Sequence, residues 1–315
     1  MLKAISDTEW WDELKGMLSN HSLLELDVSL AKMTTFGVGG KARYYIEPGS
    51  VNDLRIAIEG ARDRGKPIFF IGRGSNLLVP DEGFNGMIVR LNRKYWRGIS
   101  SEADGRIYAG GGARLKEICR VACKLGLSGF EFLEGIPGTL GGGLAMNAGA
   151  MGSRIFDLIE EVEFIRYDGE LKKERRDWFQ VGYRECRELE NSVVLSAILR
   201  ADTEEVERTI KEKLEHFARE RKKSQPGGRN AGCIFKNPAG EYTGQIIDEL
   251  GLKGRRVGGA EISNLHGNFI VNRGNATCAD VIALIKDVRE EVRRNRGIDL
   301  RPEVLLLGRD WDEVL

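Results

Sequence analysis

The stretch Gly135-Ile-Pro-Gly-Thr-Leu-Gly-Gly-Gly-Leu-Ala-Met-Asn-Ala-Gly-Ala150 restricts this chain more than any other. Six of its sixteen residues are glycine, and hardly any of its side chains can hydrogen-bond. Such a segment offers a neighbour chiefly its backbone. Glycine permits φ > 0 and lets a ligand come close to N–H groups. Successive bare N–H groups form a concavity suited to phosphate oxygens. A second glycine-rich turn, Gly72-Arg-Gly-Ser-Asn76, follows the apolar run Pro67–Ile71. Two such cradles near the ends of apolar strands fit a large ligand with a pyrophosphate, hence a dinucleotide. For either cradle alone an ordinary turn is the competing reading, since glycine is common throughout the chain.

Length and composition narrow the field further. At 315 residues the chain exceeds one small core, so two or three domains are expected. Hydrophobic residues at 41% and charged residues at 30% describe a globular protein. Lys+Arg and Asp+Glu are both 48, which argues against a general nucleic-acid or anionic-membrane surface and leaves room for local basic pockets. Asp7, Glu9, Asp12 and Glu13 do not suit a signal peptide, and apolar runs such as Val193–Leu199 are too short to span a bilayer. The expected location is the cytoplasm, with no membrane, nucleic-acid or obligate protein partner. Cys119, Cys123, Cys186 and Cys278 read as small buried hydrophobes. No pair has CxxC spacing, so no metal site is expected.

Periodicity supplies the elements. Residues 8–18 read as an amphipathic helix through Trp10, Trp11, Leu14 and Leu18. Ala42–Glu47, Pro67–Ile71 and Met87–Leu91 read as strands, and Val51–Arg64 as a helix ended by Gly65. Together they make a β-α-β-β unit over about 42–91. Ile107–Ala109 is a strand, followed by a helix through Leu115, Ile118, Cys119, Ala122 and Leu125. Leu158–Arg166, Leu171–Arg175 and Ser192–Arg200 are strands, with a hairpin turn at Asp168-Gly169. Thr203–Lys223 is a helix with the stripe Val206, Ile210, Leu214 and Phe217. Ile246–Leu250 and Asn268–Asn272 are short elements, Cys278–Arg296 is a helix, and Val304–Gly308 is a final strand. The expected division is 1–92, 93–200 and 201–302, with 303–315 returning to the first.

Three groups could do chemistry. Arg184, in Gly182-Tyr-Arg184, follows an aromatic between strands and could clamp a carboxylate. Cys233, in Asn230-Ala-Gly-Cys-Ile-Phe-Lys-Asn-Pro238, is approachable past two small residues, and Lys236 and Asn237 follow to hold a polar ligand. An ordinary thiol, with a pKa of about 8.5, serves as a nucleophile once deprotonated or as a proton donor as it stands. No histidine adjoins it in sequence, which weakens the nucleophile reading. Glu303, in Arg301-Pro-Glu303, stands before an apolar strand as a candidate acid or base. His266 lies beside Asn268–Asn272, within reach of a ligand, whereas His21 and His216 read as incidental.

The ordered set Thr34-Thr-Phe-Gly-Val-Gly-Gly40, Gly72–Asn76, Gly135-Ile-Pro-Gly138 with Asn147-Ala-Gly149, Gly182-Tyr-Arg184, Ala231–Pro238 and Arg301–Val304 resembles the UDP-N-acetylenolpyruvoylglucosamine reductase (UDP-N-acetylmuramate dehydrogenase) family over about residues 30–307. The resemblance implies an α+β chain: an FAD-binding fold of the vanillyl-alcohol-oxidase (PCMH) type in two subdomains, plus a C-terminal α+β substrate-binding domain. It implies NADPH-dependent, FAD-mediated reduction of UDP-N-acetylglucosamine enolpyruvate to UDP-N-acetylmuramate in peptidoglycan precursor synthesis. Hydride addition to the enolpyruvyl methylene leaves negative charge that spreads into the carboxylate. By resemblance, Arg184 and Glu303 match positions that stabilise this charge, and Cys233 the position that protonates the neighbouring carbon, where many members carry serine.

The FAD-binding residues expected from the cradles and the matched motifs are Thr35, Gly72, Arg73, Gly74, Ser75, Asn76, Gly135, Pro137, Gly138, Thr139, Gly142, Asn147, Ala148 and Gly149. Tyr183, Lys222, Asn237 and His266 match positions that bind the UDP-sugar, and Lys236 is expected beside them. Neither cradle holds a histidine, so FAD is expected to be non-covalent. Met151 stands where the family often has tyrosine. The chain lacks room after Arg184 for an inserted subdomain that carries a substrate-closing tyrosine, so it resembles the shorter subclass. The rivals are an oxidase of the same fold family, which would not typically use NADPH, and a non-catalytic nucleotide-binding protein.

Overall fold

The computed structural model describes residues 6–201 and 203–315. By internal packing the chain forms two compact units. The first comprises the described residues up to Asp27, Tyr44–Gly72 and Asn85–Phe217; the second comprises Val28–Arg43, Arg73–Phe84 and Ala218–Leu315.

In the first unit, helix α1 (Asp7–Met17) starts at a capping box. The Ser6 side chain accepts from the Glu9 N–H, and Glu9 accepts in return from the Ser6 N–H. Its buried face, Trp10, Trp11 and Leu14, packs with Tyr44, Ile46 and the apolar stripe of α2 (Val51–Asp63). The four-stranded sheet runs in the order Leu23–Ser29, Lys41–Glu47, Phe84–Val89, Ile68–Phe70, with the last two parallel. The strand Leu23–Ser29 has no counterpart among the expected elements, although Leu24, Leu26 and Val28 alternate with Glu25, Asp27 and Ser29; its central Glu25, Leu26 and Asp27 are exposed.

The five-stranded sheet of this unit is antiparallel. Its order is Leu171–Arg175, Ile159–Arg166, Ser192–Arg200, Arg106–Gly110, Ile99–Ser101. Asp168-Gly169 makes the expected hairpin turn: Gly169 takes φ +94°, and Asp168 Oδ1 accepts from the Glu170 N–H. Helix α3 (Leu115–Lys124) lays Leu115, Ile118, Cys119 and Ala122 into the core formed with Phe130, Phe132, Leu140, Phe156 and Phe164. Each such large apolar side chain contributes about 1.5–3 kcal/mol by leaving water. Helix α4 (Leu140–Ala145) lies within the glycine segment, where the glycine content hid it.

Helix α5 (Glu207–Ser224) begins later than expected. Thr203–Glu204 pair instead with Leu127–Ser128, so Val206 falls outside the helical stripe and is 73% exposed. In the second unit, a four-stranded antiparallel sheet runs Arg229–Cys233, Phe269–Asn272, Ala260–Ile262, Arg256–Val257. Helices α6 (Thr243–Glu249) and α7 (Cys278–Arg296) share a core with this sheet, and α8 (Trp311–Val314) packs against it. Leu305–Leu306 pairs in parallel with Leu77–Leu78, a shorter strand than expected. No helix among the described residues is long and apolar enough to cross a membrane.

Candidate active site

The longer glycine cradle is built from inward-turned backbone. Within 135–150, the N–H groups of Ile136, Gly138, Leu140, Gly141, Gly143, Met146, Asn147 and Ala148 donate to carbonyls of the protein, and that of Gly142 to Thr139 Oγ1. Within this longer segment the expected run of bare N–H groups is therefore absent. Glycine here serves close packing: a Cβ on Gly149 would lie 2.6 Å from Ser153 O, and one on Gly72, in the other cradle, 2.5 Å from Thr139 Oγ1. The two cradles thus touch, Gly72 against Thr139. Asn147 is buried at φ +37°, and its Nδ2 donates to Gly182 O (2.9 Å). Asn147 Oδ1 is buried without a hydrogen-bond partner among the described residues.

A tight hairpin brings the expected arginine to this cradle. Val181–Gly182 pairs with Glu185–Cys186, leaving Tyr183 and Arg184 at the tip. Arg184 takes φ +60°, its guanidinium lies over the Tyr183 ring at 5.4 Å, and Nη1 donates to Gly149 O (3.3 Å). Arg184, Tyr183, Asn147 and Gly149 thus form one cluster in the first unit. Met151, at φ +53°, is 49% exposed.

The second unit carries the other expected residues. Gly74 takes φ +58°, and a Cβ there would meet Met33 O at 2.7 Å. Its carbonyl accepts from the Thr35 N–H (3.2 Å), while Thr35 Oγ1 donates to Asn230 O (2.7 Å). Arg73 Nε is buried without a partner among the described residues, and Ser75 is half-buried. Asn76 Nδ2 donates to Glu303 O (3.1 Å), and Asn76 O accepts from the Leu305 N–H.

Cys233 ends a bulged strand. Asn230 pairs with Val271 but Cys233 with Phe269, a slip of one residue accommodated at Gly232, φ +79°. Cys233 is half-buried, unlike Cys119, Cys123, Cys186 and Cys278, which are buried as expected. Beyond it the chain runs beside Arg301–Glu303. Ile234 O accepts from the Glu303 N–H (2.7 Å), Phe235 bridges Pro302, and the Lys236 N–H donates to Arg301 O. Cys233 and Glu303 are thereby placed on adjoining stretches of one ladder. Burial pushes the Arg221 pKa down, and the nearby Cys233 offsets this. Arg221 was hidden in sequence within a charged run that reads as a solvated helix face.

His266 packs against Gly244, where a Cβ would lie 2.7 Å from its ring, and its Nδ1 accepts from the Asn268 N–H (3.1 Å). Burial, then the nearby Lys253, lowers its pKa; because Nδ1 accepts, the neutral ring carries its proton on Nε2. Asn237 Oδ1 accepts from the Thr243 N–H at the start of α6, and Lys236 O from Thr243 Oγ1. Lys222 is exposed on the last turn of α5. No group of three or more His, Cys, Asp or Glu suited to a metal ion occurs among the described residues.

Two orphaned buried polar atoms, Asn147 Oδ1 and Arg73 Nε, sit at positions expected to hold FAD, and the Gly72–Thr139 contact leaves no space for a side chain there. These features fit a large polar cofactor. Residues 42–174 match the FAD-binding domain family, and the chain is an FAD-dependent oxidoreductase. Its FAD-binding portion has the expected vanillyl-alcohol-oxidase type of fold. Residues 223–307 match the C-terminal domain of UDP-N-acetylenolpyruvoylglucosamine reductase. The reductase of that name from Pelobacter propionicus is 37% identical over 293 residues, covering 93% of this chain and 98% of the relative. That from Geobacter metallireducens is 40% identical over 287 residues, 90% and 94% of the two chains. The crystal structure of UDP-N-acetylenolpyruvylglucosamine reductase from Thermus caldophilus aligns at TM-score 0.78 and 36% identity, covering 90% of this chain and 99% of that one. The chain belongs to the UDP-N-acetylenolpyruvoylglucosamine reductase family. Its activity is reduction of UDP-N-acetylglucosamine enolpyruvate to UDP-N-acetylmuramate, with FAD as cofactor and NADPH as hydride donor.

Proposed function

We propose that Arg184, Cys233 and Glu303 carry the second half of this reduction. Bound FAD supplies the hydride relay between NADPH and the substrate's methylene carbon. As that carbon gains the hydride, the neighbouring carbon and the carboxylate share negative charge. Arg184 pairs with the carboxylate, the Glu303 carboxyl group stabilises the same charge, and the Cys233 thiol gives its proton to the carbon bearing the ether oxygen. The observation that carries this reading is the Glu303 N–H to Ile234 O bond at 2.7 Å, which holds the acid residue beside the thiol's strand.

FAD is held, in this reading, by Thr35, Gly72, Arg73, Gly74, Ser75, Asn76, Gly135, Pro137, Gly138, Thr139, Gly142, Asn147, Ala148 and Gly149. Tyr183, Lys222, Lys236, Asn237 and His266 receive the UDP-sugar, His266 as a neutral donor through Nε2–H. The subdomain boundaries at 92, 200 and 302 and a cytoplasmic location belong to the same proposal.

The test separates the two half-reactions. Anaerobic NADPH should bleach the flavin, and UDP-N-acetylglucosamine enolpyruvate should restore its colour. Cys233→Ala should bleach normally and recover about a hundredfold to ten-thousandfold more slowly. Cys233→Ser, which keeps a hydroxyl proton in place, should retain measurable recovery. An alanine enzyme that recovers at the wild-type rate removes Cys233 from the mechanism.

A further inference from the structure

Asn268 is 3% exposed, and each of its polar groups is engaged. Its side chain grips the main chain of Phe235 from both sides: Oδ1 accepts from the Phe235 N–H (2.9 Å), and Nδ2 donates to Phe235 O (2.8 Å). Its own carbonyl accepts from the Ile234 N–H (2.9 Å), and its N–H donates to His266 Nδ1. The site of this grip is informative. The strand ladder slips by one residue at the bulge and pairs last at Cys233 with Phe269. From there the Asn268 amide replaces a neighbouring strand, offering one acceptor and one donor to a single residue as a ladder would. Ordinary pairing past a bulge leaves the chain free to twist. Here the two residues after the thiol are fixed by Asn268.

We infer that Asn268 is a positioning residue for the Cys233 thiol: its amide fixes the chain immediately after the cysteine and so sets where the proton is delivered. The inference rests on the proton-donor reading of Cys233. An acid must stand within hydrogen-bond reach of the atom it protonates, and a misplacement of about 1 Å can cost on the order of a hundredfold in rate.

The experiment uses flavin-loaded enzyme and follows both half-reactions anaerobically. Asn268→Leu removes the donor and the acceptor. Asn268→Asp keeps the shape and serves if the leucine protein does not fold. Its ionised carboxylate turns an oxygen on Phe235 O, whereas the protonated acid can donate as the amide does. The expected result is unchanged bleaching by NADPH, reoxidation by the enolpyruvyl substrate slowed about tenfold to a hundredfold, and recovery of the aspartate enzyme relative to wild type as pH falls. In a Cys233→Ala background the same substitutions should cost less than about twofold, because residues acting through one group are not additive. Equal slowing of both half-reactions, or the full loss repeated in that background, overturns the inference in favour of a purely structural asparagine. Normal reoxidation by the Asn268 variants beside a crippled Cys233→Ala overturns it alone. A Cys233→Ala enzyme with normal reoxidation overturns the thiol's role and this inference together.

Discussion

Arg184 is held against a backbone cost. At φ +60° a non-glycine residue gives up about 1–3 kcal/mol, and such strain persists where the surroundings over-determine it. The surroundings here are the two-residue hairpin tip, the Tyr183 ring and the Gly149 carbonyl. If the guanidinium meets a charge that exists only after hydride addition, Arg184→Ala should leave flavin bleaching by NADPH intact and slow reoxidation by substrate. The same holds for Glu303→Ala, and each loss should be about a hundredfold to a thousandfold. Stopped-flow absorbance of the flavin separates the two, and equal losses in both would point to folding or flavin binding. His266 gives a pH signature. Its pKa lies below 6.5 in the folded protein, chiefly through burial, so below pH 6.5 the unfolded chain takes up more protons than the folded one. Its contribution to stability is therefore lost as pH falls through that window. The thermal midpoint of His266→Gln should accordingly drop less than that of wild type between about pH 7 and pH 5.5.

Among the elements, α7 shows how a distant loop can start a helix. Asp81 accepts from the N–H groups of Cys278 (2.8 Å) and Ala279 (3.0 Å), two donors that the helix cannot satisfy itself. Thr277 and Asp280 add a local capping box. Asp81→Ala should cost about 0.5–2 kcal/mol in denaturant unfolding, the range for a lost cap, whereas an unchanged midpoint would show that the local box suffices. The expected helix Cys278–Arg296, read from its apolar stripe, matches the observed one. Asp81 was not legible, since it lies 197 residues away from Cys278 in sequence. The same contrast runs through the site. The glycine turns, Arg184, Cys233 and Glu303 were singled out as candidates because each sits in a local pattern. Asn268 and Arg221 were not singled out, because their contacts lie in what folds against them. Helix α5 was read four residues too long at its start, where the pairing of Thr203–Glu204 with Leu127–Ser128 overrides helical periodicity.

At the scale of the whole molecule, the family resemblance leaves open how firmly the flavin is held. Covalent tethering needs a nucleophilic side chain at the cofactor. Gly72–Asn76 and Gly135–Ala150 contain neither histidine nor cysteine. Four of the five cysteines are buried, and burial pushes the thiols of Cys119, Cys186 and Cys278 up to about 12, which keeps them protonated and unreactive. Cys233 has a proton to give in the proposed mechanism, and a thioether at its sulfur would abolish that role. What holds FAD is then, in the proposed reading, shape and hydrogen bonding. Such binding acts on the folded state alone and vanishes with it. The purified protein should be yellow, and acid or heat precipitation should leave a colourless pellet with all the flavin in the supernatant, where chromatography identifies it as intact FAD. A pellet that keeps its absorbance after washing would place a covalent bond in a site whose two glycine turns contain neither histidine nor cysteine.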